Sequence, residues 1–115
     1  MKTRITRIND EIARVIADTI RSGLSDPRIG TVVSVVKTET TSDLKFCQIS
    51  VSILGDENEQ KSTMEALHRA TGFIRRRVAE TINLRQTPEL KFVYDDSIEY
   101  GMRMRKLIDS VNKGE

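Results

Sequence analysis

Apolar residues recur at three- and four-residue steps near the start of the chain: Ile5, Ile8, Ile12, Val15, Ile16 and Ile20. That spacing places them on one face and predicts an amphipathic helix over residues 3–22. Isoleucine is a mediocre helix former, so packing rather than propensity must hold this segment. Gly23 can take the left-handed position past the last turn, with Leu24 folding back onto the helix. Asp26-Pro27 then forces an extended or turned loop that Gly30 closes. The β-branched stretch 32–38 predicts a strand, Thr40-Thr41-Ser42-Asp43 a hairpin turn, and 44–54 a longer strand. In the second strand Cys47, Ile49, Val51 and Ile53 alternate with Gln48, Ser50 and Ser52. One face of the sheet is therefore covered, and the other meets water or a partner.

Beyond Gly55, Asp56 and Glu59 stand at capping-box spacing and open a second helix. Its inner stripe is Met64, Leu67, Thr71, Ile74, Val78 and Ile82. Gly72 falls inside that helix, where glycine costs about 1 kcal/mol relative to alanine. A kink, or close approach of another backbone, would account for it. Thr87-Pro88 ends the helix, and 90–94 predicts a third strand. Asp96-Ser97-Ile98-Glu99 is a second capping-box spacing, opening a last helix. Met104, Leu107, Ile108 and Val111 give that helix a weak apolar face, and residues 112–115 read as a frayed tail. A hairpin and a third strand, covered on one face by two long helices, make a two-layer α+β domain.

At 115 residues the chain fits one domain with room for a core. Aromatics are 4% and tryptophan is absent, so the core must be aliphatic and stacking platforms for bases are scarce. Cys47 is the one cysteine, which excludes an internal disulfide and a cysteine zinc site and fits a reducing cytoplasm. Lys2, Arg4 and Arg7 are followed by no apolar run, so a signal peptide is not expected, nor a membrane span. Charge is segregated. Residues 61–85 carry Lys61, Arg69, Arg75, Arg76, Arg77 and Arg85 against Glu65 and Glu80, whereas 39–59 carry Glu39, Asp43, Asp56, Glu57 and Glu59 against Lys45. A basic end of this kind suits a polyanion.

Catalytic chemistry is sparse. His68 is a lone helical histidine, and Cys47 lies on the apolar phase of its strand as a core thiol would. Phosphate loops, catalytic triads and metal-ligand spacings are missing. Asp95-Asp96 could hold magnesium in a nuclease, but the simpler reading has Asp96 capping the last helix and Asp95 making the turn. No enzyme activity, cofactor or metal is expected.

The arginines are more informative. Arg7, Arg14 and Arg21 share one face of the first helix with Glu11 and Asp18 between them, so Arg14 and Arg21 read as an ion-pair ladder worth about 0.3–0.5 kcal/mol per pair. Arg4 and Arg7 lack such cover and remain candidate contacts. Arg75, Arg76 and Arg77 spread over about 200° of helix and cannot all face the core. Glu80 alone is well placed to pair with Arg76 or Arg77. Arg69 and Arg76 flank Gly72, which would let a phosphate backbone approach, and guanidinium groups grip phosphate bidentately. Arg103, Arg105 and Lys106 add charge on the last helix.

Four strings in order then carry a resemblance over nearly the whole chain. They are Ser25-Asp26-Pro27-Arg28-Ile29-Gly30; Asp43-Leu44-Lys45 leading to Val51-Ser52-Ile53-Leu54-Gly55; Arg69-Ala70-Thr71-Gly72-Phe73-Ile74-Arg75; and Arg85-Gln86-Thr87-Pro88-Glu89-Leu90-Lys91-Phe92-Val93-Tyr94-Asp95-Asp96-Ser97. The chain resembles the ribosome-binding factor A family of bacterial small-subunit assembly factors. The resemblance implies a KH-like domain of the type II order α-β-β-α-α-β, with an Ala-x-Gly kink, here Ala70-Thr71-Gly72, where ordinary KH domains carry a Gly-x-x-Gly loop. Binding should then follow shape and phosphate rather than a short single-stranded sequence. The resemblance also implies a cytoplasmic, non-catalytic chaperone or placeholder. It would bind the free 30S small ribosomal subunit near its neck and assist late maturation of 16S rRNA, including its 5′ region. The expected RNA-binding set is Arg69, Ala70, Gly72, Arg75, Arg76 and Arg77, with Arg4, Arg7, Arg28 and Arg85 beside it. The expected protein is a monomer, with residues 1–97 as the RNA-binding domain and 98–115 as a flexible helix and tail. The alternative is a protein–protein adaptor that docks through its sheet or its acidic end.

Overall fold

The computed structural model describes residues 3–22, 24, 29 and 32–113. Among the described residues the main elements follow in order: α1 (Arg4–Ser22), β1 (Val33–Thr40), β2 (Phe46–Ile53), α2 (Glu57–Thr81), β3 (Glu89–Tyr94) and α3 (Ser97–Lys113). The fold is α+β, with helices and one three-stranded sheet. Between β2 and β3 stands a single helix of 25 residues. The helix runs without interruption through Ala70-Thr71-Gly72, the place of the expected kink. The expected cap at Gly23, the Asp26-Pro27 turn and Gly30 lie outside the described residues.

The sheet order is β1-β2-β3, antiparallel between β1 and β2 and parallel between β2 and β3. Parallel neighbours cannot be joined by a tight turn, so α2 crosses between them over one face. There it packs on β3, while α1 packs on β1 and on α2. The core lies under β2. Cys47, Ile49, Val51 and Ile53 meet Ile8, Ile12, Ile16 and Ile20 from α1, Leu67, Ile74 and Val78 from α2, and Leu90 and Phe92 from β3. Apart from Phe92 it is aliphatic. Thr19 is buried among these residues and satisfies its hydroxyl on the Val15 carbonyl at 2.7 Å. Ser50 keeps the outward phase yet is buried, because its neighbours across the sheet, Lys37 and Val93, shade it.

The hairpin departs from expectation by two residues: β1 runs to Thr40 and β2 begins at Phe46. The Asp43 carboxylate accepts from the Thr41 hydroxyl at 2.7 Å and from the Lys45 amide at 3.1 Å. Leu44 sits at φ 62°, and its amide donates to Thr41 O at 2.9 Å. These bonds hold Leu44 and Lys45 in the turn and out of the strand.

At the far end of the sheet the expected capping box of α3 does not form. Asp95, not Asp96, accepts from the Ser97 amide, at 2.8 Å. Glu99 turns inward, taking the Tyr94 hydroxyl at 2.6 Å and the Gln60 amide at 2.8 Å. Burial, then the bond to Glu99, pushes the Tyr94 phenol up to about 12, so it stays a donor. Beyond this clasp α3 is exposed, with Met104, Leu107, Ile108 and Val111 open to water and the helix continuing to Lys113. The projecting helix accounts for a radius of gyration of 16.7 Å, against about 13 Å for a compact chain of this length.

This division between core and projection is testable. Ile49→Ala should cost about 2–5 kcal/mol in chemical denaturation, by removing transfer energy and leaving a cavity. Ending the chain after Met102, by contrast, should leave the midpoint nearly unchanged. The Asp43 and Asp95 carboxyls are held below the usual value, Asp43 first by the Thr41 hydroxyl and Asp95 first by Ser97. Their contribution is full above the unfolded value and is lost as pH falls below about 4 through the folded one. Asp43→Asn should therefore flatten the acid limb of a stability–pH profile and leave the neutral region parallel.

Candidate nucleic-acid interface

α2 begins on a well-made cap. The Glu59 amide donates to the Asp56 carboxylate at 2.8 Å, and the Glu59 carboxylate accepts the Asp56 amide at 3.2 Å. Gly55 precedes it at φ +139°, where a Cβ would meet Glu59 at 3.0 Å, so glycine is needed for the cap to close. Leu67, Ile74 and Val78 bury the inner stripe as expected. One flank turns to β3. The His68 ring Nε2 bonds Phe92 O at 3.2 Å, and seven residues on, Arg75 Nε donates to Pro88 O at 3.0 Å and Nη2 to Thr87 O at 2.7 Å. His68 and Arg75 thus tie the crossing helix to the strand it feeds.

The solvent side holds the rest of the basic set. Arg69, Gly72, Phe73, Arg76 and Arg77 are exposed at helical spacings of three, four and one. Among the described residues, ion pairs join Arg21 to Asp18 and Lys37 to Glu39, and none reaches these three arginines. The Glu80 partnership open to Arg76 or Arg77 is not made, and the α1 ladder closes at Arg21 but not at Arg14. Nothing lies within 4 Å of the Cβ position of Gly72, so the helix backbone is bare there.

Arg4, Arg7 and Arg85 are exposed, Ala70 is half-buried against the core, and Arg28 lies outside the described residues. The arginine triplet is therefore divided. Arg76 and Arg77 are free to bind, and Arg75 is committed to the turn before β3. Phe73, 41% exposed, is the residue that the triplet obscured. It stands four after Arg69 and three and four before Arg76 and Arg77, a signal legible from spacing alone. Guanidinium groups around an exposed ring and a bare backbone can grip phosphates and stack a base.

Other reactive groups have structural surroundings. Burial pushes the Cys47 thiol up, which keeps it protonated and inert. Among the described residues no group of three His, Cys, Asp or Glu could hold a metal, and no helix is long and apolar enough to cross a membrane.

The chain is similar to known proteins over most of its length. The family profile described as Ribosome-binding factor A matches residues 4–108. Ribosome-binding factor A of Lachnospira eligens is 51% identical over 108 residues, covering 94% of this chain and 83% of its own. The crystal structure of ribosome-binding factor A from Thermus thermophilus is similar with a TM-score of 0.70 at 22% identity, covering 80% of this chain and 97% of that one. A Thermus thermophilus ribosome binding factor A homology model, fitted into a cryo-EM map of a 30S complex of the factor, gives a TM-score of 0.62 at 22% identity, covering 76% and 91%.

Because the Cβ site of Gly72 is open, Gly72→Ala should stabilise the free protein by about 1 kcal/mol. A thermal melt should read this as a rise of roughly 4–8 °C. The same methyl should weaken RNA binding if a phosphate backbone packs against Gly72.

Proposed function

The chain belongs to the ribosome-binding factor A family, and on that footing we propose that it binds the small ribosomal subunit through the outer face of α2. The observation that carries this is the cluster of Arg69, Arg76 and Arg77, exposed and without ion-pair partners around Phe73 and Gly72. Three guanidinium groups left unpaired on one helix face are poorly explained by stability, since surface charges of one sign repel. They are well suited to phosphates set by the shape of folded RNA.

The protein acts without covalent chemistry. It occupies the free 30S subunit as a placeholder and assists late maturation of 16S rRNA, including its 5′ region, in the cytoplasm. Arg75 serves the same face indirectly, by holding the turn from which Arg85 and β3 depart. Arg4 and Arg7 on α1 extend the contact.

The test is sedimentation of the protein with purified free small subunits across a salt series. Each phosphate neutralised should add about 0.7–0.9 to the negative log–log salt slope, through the counterions it releases. The double variant Arg76→Glu with Arg77→Glu should lose at least about tenfold in affinity with an unchanged melting curve. Unaltered pelleting of that variant would remove α2 from the interface. A second reading is the protein–protein adaptor expected to dock through its sheet or acidic end, for which the exposed apolar stripe of α3 offers a different surface. It would be preferred if binding resisted salt and failed instead on Leu107→Glu.

A further inference from the structure

Along β2, the face of the sheet opposite the helices obeys the polar phase except at one place. Gln48, Ser50 and Ser52 face outward as the alternation requires, but so does Phe46, which is 55% exposed. Cross-strand register puts Glu39, Gln48 and Lys91 in one row across all three strands, with Glu89 opposite Phe46. Together with the Thr40-Thr41 end of the hairpin, Glu39, Phe46, Gln48 and Lys91 line an open recess of about 540 Å³. Gln48 and Lys91 make no side-chain hydrogen bond or ion pair among the described residues, and Glu39 is held only by an exposed contact to Lys37 at 3.7 Å.

We propose that this recess receives one unpaired nucleobase of the bound RNA, stacked on Phe46 and read along its edge by Glu39, Gln48 and Lys91. The proposal rests on the RNA-binding reading above and adds a second contact on the other layer of the domain. A recess of this kind has the two parts a base site needs: an aromatic face, and polar groups converging on its rim. The lining is mixed in sign, with Glu39 against Lys91, so it suits a neutral ring better than a phosphate. Its hydrogen-bonding sense favours guanine. A carboxylate only accepts, an ammonium only donates, and an amide does both. Guanine offers two N–H donors beside a carbonyl acceptor on one edge, which matches Glu39 and Lys91 on either side of Gln48. Adenine and cytosine supply one such donor group, and uracil presents two carbonyls that Glu39 would repel.

The chain has no tryptophan, so Phe46→Trp places a single reporter in the recess while keeping a stacking face. Titrating that full-length variant with the trinucleotide UGU should quench its fluorescence saturably, and more strongly than UUU or UAU. Amide shifts of the unaltered protein should centre on Phe46, Gln48 and Lys91. Phe46→Ala should weaken UGU binding roughly 5- to 100-fold, the range for one lost stacked base. Glu39→Gln should narrow the preference for guanine, with the melting curve unchanged.

Equal response to all three trinucleotides would overturn the guanine assignment. Shifts confined to α2 would overturn the recess as a base site. Free guanosine monophosphate binding as tightly as UGU would make it a mononucleotide site and overturn the RNA claim. The two readings fail separately. Loss of subunit binding in the Arg76 and Arg77 variant, with Phe46→Ala indifferent to UGU, sinks only the recess. Indifference of subunit binding to the arginines, with UGU still held at Phe46, sinks only the α2 interface.

Discussion

Parallel pairing of β2 with β3 is the constraint on which the rest of the molecule depends. Two parallel neighbours need a connection that travels the length of the sheet, and here α2 supplies it. Once α2 must cross one face, its angular positions are assigned. Leu67, Ile74 and Val78 go down to the aliphatic core, His68 and Arg75 go sideways to the strand and turn that follow, and Arg69, Phe73 and Arg76 are left to solvent. The proposed interface is thus the remainder of a topological requirement. No separate loop or insertion is needed to present it.

The same reasoning explains why three consecutive arginines serve two purposes. At about 100° per residue, neighbours on a helix cannot share the same surroundings. Arg75 meets two backbone carbonyls of a turn whose Pro88 is fully buried. A guanidinium fork satisfies both carbonyls at once, beside a proline that donates nothing. Arg76 and Arg77 make no ion pair among the described residues. Stability uses the first arginine and leaves the other two for the proposed RNA contact.

Much of the architecture was legible because burial writes itself into periodicity. The isoleucine steps of α1, the alternation from Cys47 to Ile53 and the Asp56–Glu59 cap are local patterns with local causes, and the structure repeats them. What escaped depended on distant partners. Glu99 stands at capping-box spacing from Asp96, yet it bonds Tyr94 and, 39 residues away, Gln60. Arg75 could not be told from its neighbours without knowing where Pro88 falls. Leu44 at positive φ is a conformation that no propensity of leucine anticipates. Two aromatic residues carried a legible signal that composition masked: Phe73 by its spacing from three arginines, and Phe46 by falling on the phase of Gln48. A low aromatic content argues that stacking platforms are scarce, but scarcity says nothing about where the few aromatics stand.

The last helix shows what happens when the topological constraint is absent. Unlike α2, α3 leads into no strand among the described residues, so nothing obliges it to lie across the sheet, and its apolar residues stay in water. A 17-residue helix with Gly101 inside it is marginal by itself in water. Its origin is nonetheless fixed, because Glu99 binds the end of β3 through Tyr94 and the start of α2 through Gln60, whose amide also reaches Gly55 O at 3.0 Å. Raised to about 12, the Tyr94 phenol keeps its proton across the neutral range and the clasp keeps its donor. The clasp therefore sets where α3 starts and leaves where it points to whatever meets its exposed stripe. The starting point is inherited from the core, and stability along the helix must come from outside it.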